Sequence, residues 1–135
     1  MAASPVKASC DALGIVCRDL ARSLAFYRAL GLDIADGAEQ TPHVEVEVVG
    51  GFRLMFDPVS TITSFDEGWT PPTGGPGTAL AFALDSPAAV DEAYATVTGL
   101  GFDGHKAPWD AVWGQRYASL RDPDGNGVDL YAPLA

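Results

Sequence analysis

Histidine, cysteine and basic side chains are scarce in this chain. Its 135 residues include two histidines, two cysteines and eight lysines or arginines, against eighteen aspartates and glutamates, for a net charge of −10. With two histidines, a metal site built from imidazoles has little to draw on. Cys10 and Cys17 are too few for a disulfide framework, and their spacing matches no metal or redox motif. Both are expected as reduced thiols in the cytoplasm. The basic residues form no stripe that would hold a phosphate backbone, so nucleic-acid binding is disfavoured. Residues 1–67 carry ten acids and five bases and residues 68–135 carry eight and three, so each half is −5 and there is no acidic tail. Solubility accounts for this charge; a weak preference for cationic ligands is its other consequence. No apolar run approaches the roughly 20 residues needed to cross a membrane. The opening Met1–Ser9 has one lysine and no apolar stretch, so no signal peptide is expected. Hydrophobic residues make up 47%, which argues against disorder. The length fits a single domain, 1–135, that buries enough surface to need no disulfide or structural metal.

What is present is a pattern that occurs twice. Leu13–Cys17 is a short apolar run suited to a buried strand. Asp19 is a candidate N-cap; Leu20, Leu24 and Tyr27 follow at helical spacing with Phe26 beside them, and Gly31 ends the helix as a C′ glycine would. Val44–Val49 alternates with Glu45 and Glu47, and Gly50-Gly51 turns the chain into Phe52–Phe56, a two-residue hairpin signal. Asp57–Gly77 is rich in Pro, Gly, Ser and Thr and reads as a linker. A second apolar run, Ala79–Leu84, leads to a cap at Ser86, Pro87 at the first helical position, and a stripe of Val90, Tyr94 and Val97 closed by Gly99. Trp109 and Trp113 read as loop residues, as does His105. Strands are expected at Arg116–Leu120 and Val128–Tyr131, around the dense turn signal Asp122–Gly127. Leu30-Gly31-Leu32 and Leu100-Gly101-Phe102 close the two helices alike, as expected of two copies of one unit.

Asp19-Leu20 through Phe26-Tyr27 and Leu30-Gly31-Leu32 resemble the first-module signature of the vicinal oxygen chelate superfamily. Trp113-Gly114-Gln115-Arg116, Asp122-Pro123-Asp124-Gly125-Asn126 and Val128-Asp129-Leu130 resemble its closing strands. The superfamily includes glyoxalase I, extradiol dioxygenases, fosfomycin-resistance enzymes and bleomycin-binding proteins. The resemblance implies an α+β fold of two βαβββ modules, here about 10–58 and 78–133 with a linker at 57–77, forming a curved mixed sheet around a cleft. It also implies a homodimer with cleft residues from both chains. Metal-dependent members carry His or Glu at four strand positions, where a divalent ion chelates two substrate oxygens.

On this chain those positions fall on Ala12, Ala79, either Arg53 or Met55, and Asp129. Alanine has no donor atom and arginine repels a cation, so no metal or other cofactor is expected. His43, Glu45 and Glu47 share one strand face, for which a solvated sheet surface is the simpler explanation. No nucleophile elbow or phosphate loop occurs, and no catalytic residue is assigned. The resemblance is therefore closest to the metal-free, bleomycin-resistance-like members. It implies sequestration of a small aromatic, cationic or neutral molecule, with Arg53, Met55, Phe65, Trp69, Trp109, Trp113, Asp129 and Tyr131 as ligand-binding candidates. Alternatively, Trp113 plugs the core and Trp69 lies at a dimer interface. A glyoxalase- or dioxygenase-like enzyme with an atypical site, and a non-catalytic accessory protein of secondary metabolism, are the competing functions. Arg116 and the Asp122–Asn126 turn are expected to serve the fold.

Overall fold

A computed structural model describes residues 6–135, so the Met1–Pro5 part of the leader expectation lies outside the described residues. In the first half, β1 (Ala12–Cys17) leads through α1 (Leu20–Ala29) to β2 (Val44–Val49) and β3 (Phe52–Pro58). After a short α2 (Val59–Thr63), the second half runs β4 (Ala79–Ala83), α3 (Pro87–Gly99), β5 (Asp103–Ala111), β6 (Gln115–Arg121) and β7 (Gly127–Pro133). The sheets are ordered β1-β3-β2 and β4-β7-β6-β5. In each, the first strand lies parallel to the last, β1 to β3 and β4 to β7, while the other neighbours are antiparallel. A helix must carry the chain across such a parallel pair, so each half is one mixed, helix-crossed unit.

Local chemistry explains the elements. The Asp19 carboxylate accepts the Arg22 N–H and the Ser86 hydroxyl accepts the Ala89 N–H, capping both long helices. Gly50 and Gly51 both take positive φ, 57° and 84°, as a two-residue hairpin with the twist of its strands requires. On the strands, Leu54, Phe56, Ala118, Leu120, Val128 and Leu130 are buried beneath the helices. They join Leu24, Phe26, Tyr27, Val90 and Val97 in one core. Phe26 packs edge-on against Phe102 at 5.2 Å, which joins the two halves.

Three expectations need correction. The first half is βαββ rather than βαβββ. Between α1 and β2 the Arg28 guanidinium donates to the Ile34 and Ala35 carbonyls and pairs with Glu39 at 3.3 Å, so these carbonyls bond a side chain instead of a strand. Each module forms its own sheet, as the fold class implies, and β1 and β4 end the two sheets without pairing to each other. The 57–77 linker is not coil throughout: Asp57 and Pro58 finish β3, and α2 follows. Trp109 and His105 lie on strand β5, not in a loop. The second helix does end at Gly99, but the left-handed residue after it is Gly101, with φ 93°.

Candidate ligand-binding site

The side chains facing away from the helices form two chemically different surfaces. On the second sheet, β7 alternates so that Val128 and Leu130 enter the core while Asp129 and Tyr131 face outward. Strand β6 does the same with Ala118 and Leu120 against Tyr117 and Ser119. Register places Tyr117 beside both Tyr131 and Trp109. The rings form a continuous surface: Tyr117 stacks on Tyr131 at 6.3 Å and meets Trp109 and Trp113 edge-on at 5.5 and 5.4 Å. The Lys106 ammonium lies over the Trp109 ring, 4.5 Å from its centre. Trp113 sits at the tip of the β5–β6 hairpin, 58% exposed, so it does not plug the core. Its indole N–H donates to the Gln115 side chain at 2.8 Å.

Asp129 lies within this surface. Its carboxylate accepts the Tyr117 hydroxyl at 2.8 Å and the Ser119 hydroxyl at 2.9 Å, which fixes its position and leaves further lone pairs for a ligand. Burial, with the Asp129 carboxylate as its acceptor, pushes the Tyr117 phenol up to about 12. It therefore stays a donor near neutral pH.

The outward surface of the first sheet is charged. Arg53 reaches Glu45 at 2.7 Å and Asp11 at 3.2 Å. Met55 lies between Gly14 and Glu45 in the strand register. His43 bridges Asp57 and Glu45 with its two ring nitrogens. A neutral imidazole has one N–H and cannot donate to both carboxylates. The two hydrogen bonds, the one to Asp57 foremost, raise the His43 pKa and favour the imidazolium.

Phe65 and Trp69 are not part of the aromatic surface. Phe65 follows α2 and is 74% exposed. Trp69 covers a separate cleft between β1 and β4. Asp122 and Arg116 have structural positions. Asp122 is buried and accepts four donors, including the Tyr27 hydroxyl at 2.7 Å. Arg116 joins Asp91 of α3 to Asp110 of β5. Tyr117 was missed in the sequence reading, although the outward alternation of Tyr117 and Ser119 against Ala118 and Leu120 was available to find it.

A chelating metal does not fit the family positions in this chain. Ala12 is beside Arg53, Ala79 beside Gly127, and Asp129 beside Ala81. One carboxylate already bonded to two hydroxyls stands where four donors are needed. Among the described residues, no group of three or more His, Cys, Asp or Glu side chains is arranged to hold an ion. His43 has both ring nitrogens engaged by Asp57 and Glu45. Among the described residues, no helix is long and apolar enough to cross a membrane.

Known proteins supply the family. No curated protein matches the chain. Among solved structures, it is similar to a glyoxalase/bleomycin resistance protein/dioxygenase family enzyme from Burkholderia phytofirmans PsJN, at 22% identity and a TM-score of 0.79, over 94% of this chain and 100% of that one. A glyoxalase/bleomycin resistance protein/dioxygenase from Nocardioides aligns at 22% identity and a TM-score of 0.73, over 97% and 87%. A lactoylglutathione lyase from Agrobacterium tumefaciens aligns at 24% identity and 0.64, over 95% of each chain. At these identities the likeness shows the fold and carries no activity. A family model matches residues 9–130, nearly the whole chain, and with two helix-crossed mixed sheets built as described the chain belongs to the Glyoxalase/Bleomycin resistance protein/Dioxygenase superfamily.

Proposed function

We propose that the protein binds a planar aromatic small molecule, cationic or neutral, and releases it unchanged, as in sequestration of the antibiotic-resistance type. The observation that carries this is the surface of Trp109, Trp113, Tyr117 and Tyr131 around the Asp129 carboxylate. Aromatic faces give a flat ligand a large contact area at little entropy cost, and the carboxylate selects a positive or hydrogen-bonding edge. The absence of a chelating donor set at the family positions supports binding over metal-assisted turnover. A homodimer is part of the same proposal. The exposed Val112 at the rim of the aromatic face is where a second copy would pack, beside the ligand rather than over it. Sedimentation at the mass of one chain at micromolar concentration would contradict that part.

The test is a fluorescence titration with bleomycin-like, mitomycin-like and anthraquinone-type compounds, using wild type and Trp109→Ala. Each stacked ring contributes about 0.5–1.5 kcal/mol beyond area burial, so Trp109→Ala is expected to weaken binding at least several-fold. Failure of every compound to bind below about a millimolar, or equal affinity in the variant, would refute the proposal.

A further inference from the structure

The gap between the two sheets is a feature apart from the aromatic surface. Strands β1 and β4 are edges that do not pair with each other, and between them lies a cleft of about 280 Å³. Leu13 and Ile15 of β1 and Leu80 of β4 supply its apolar walls, and Trp69 with Pro71 and Pro72 covers it from the segment joining the halves. None of Trp109, Trp113, Tyr117, Asp129 or Tyr131 lines it. Drug-sized ligands occupy sites of about 300–1,000 Å³, so this one, just below that range, suits a ligand of one or two rings.

Polar groups at the mouth define the ligand further. Arg18, at the end of β1, lines the cleft, and among the described residues its guanidinium makes no ion pair or hydrogen bond. The Asp124 carboxylate is also in the wall, held in place by the Arg18 backbone N–H at 2.9 Å and the Ser23 hydroxyl at 3.0 Å. One unpaired cation beside an apolar slot suits a single anionic group. Asp124 and the chain's net charge of −10 oppose a polyanion. The Trp69 ring has no aromatic partner among the described residues and offers a stacking face over the slot.

We infer that this cleft is a second binding site, for a small aromatic carboxylic acid whose ring lies between β1 and β4 beneath Trp69 and whose carboxylate reaches Arg18. The charge preference is opposite to that of the Asp129 surface, so the two sites select different ligands.

The test uses 2-naphthoate and its neutral amide, 2-naphthamide, followed by NMR of the ¹⁵N-labelled full chain. The three tryptophans each give one indole N–H signal, and loss of a signal in Trp69→Phe assigns that of Trp69. The expected result is saturable movement of the Trp69 signal and of the β1 amides, with the Trp109 and Trp113 signals unmoved. Arg18→Gln is expected to weaken 2-naphthoate about tenfold, leave 2-naphthamide unchanged, and be largely rescued by Arg18→Lys. The backbone spectrum of each variant reports whether it is folded. Unsaturable or absent movement of the Trp69 signal would overturn the site, as would movement confined to Trp109 and Trp113. Equal weakening of acid and amide by Arg18→Gln would overturn the carboxylate assignment. Failure here leaves the Trp109 titration with planar cations unaffected, so the two proposals fail separately.

Discussion

Removing one oxygen atom from the core tests how the second half's β6–β7 turn holds the first half's helix. The Tyr27 hydroxyl on α1 is fully buried and donates to Asp122 at 2.7 Å. Asp122 is 3% exposed and also accepts the backbone N–H groups of Asp124 and Asn126 and the Asn126 side-chain amide. Tyr27→Phe deletes one of four donors and leaves no group wholly unpaired. A hydrogen bond to a charged partner contributes about 1.5–3 kcal/mol, and the loss is expected within that range. For a domain of this size each kcal/mol lowers Tm by roughly 3–5 °C. Asp122→Ala strips the acceptor from all four donors, each costing about 1–3 kcal/mol where burial leaves it unpaired, so this variant should lose more than about 4 kcal/mol. The double variant should lose less than the sum, because the two side chains share one bond. Burial and the Asp122 carboxylate hold the Tyr27 phenol far above its ordinary range, so its contribution should be equal at pH 6 and pH 9. Urea denaturation at one fixed protein concentration measures all four proteins. A Tyr27→Phe loss under about 0.5 kcal/mol, or strict additivity in the double variant, would refute this account of the junction.

The remaining predictions concern titration and reactivity. Hydrogen bonds to Asp57 and then Glu45 raise the His43 pKa, so their stabilisation is complete below the ordinary histidine value of about 6.5 and is lost as pH rises through the raised folded value. An NMR titration should place the imidazole signal lost in His43→Gln above that ordinary value, and Asp57→Asn should lower it; no change in Asp57→Asn would contradict the pairing. Burial pushes the Cys17 thiol up to about 12, while Cys10 is exposed. A disulfide-exchange reagent should therefore count one thiol in the native protein and two after unfolding, and two fast native thiols would be the contrary result.

Much of the fold was legible because short-range rules decide it. Asp19 and Ser86 announce their helices by an acceptor placed to cap the first turn, and Gly50-Gly51 selects its hairpin through positive φ. Alternation along Val128–Tyr131 placed Asp129 and Tyr131 on the outward face. Strand β5 was not legible: Gly104, Lys106 and Pro108 are poor strand formers, and the segment is extended because it pairs with β6, through two register irregularities. As an edge strand it tolerates the proline, and it carries Trp109 beside Tyr117. The missing strand of the first half was equally hidden, because the chain path there depends on where the Arg28 guanidinium reaches. Trp69 and Leu13 are brought to one cleft by the packing of two whole sheets, which no local pattern encodes.

The central claim is binding without metal and without turnover, and the most direct measurement combines both in one sample. The tightest ligand from the planar panel is titrated by calorimetry into protein before and after exhaustive chelation, and the recovered ligand is weighed by mass spectrometry. The expected result is one unchanged Kd in both samples and a ligand of unaltered mass. Loss of binding on chelation, restored by a divalent ion, or a ligand recovered with a changed mass, would contradict the claim.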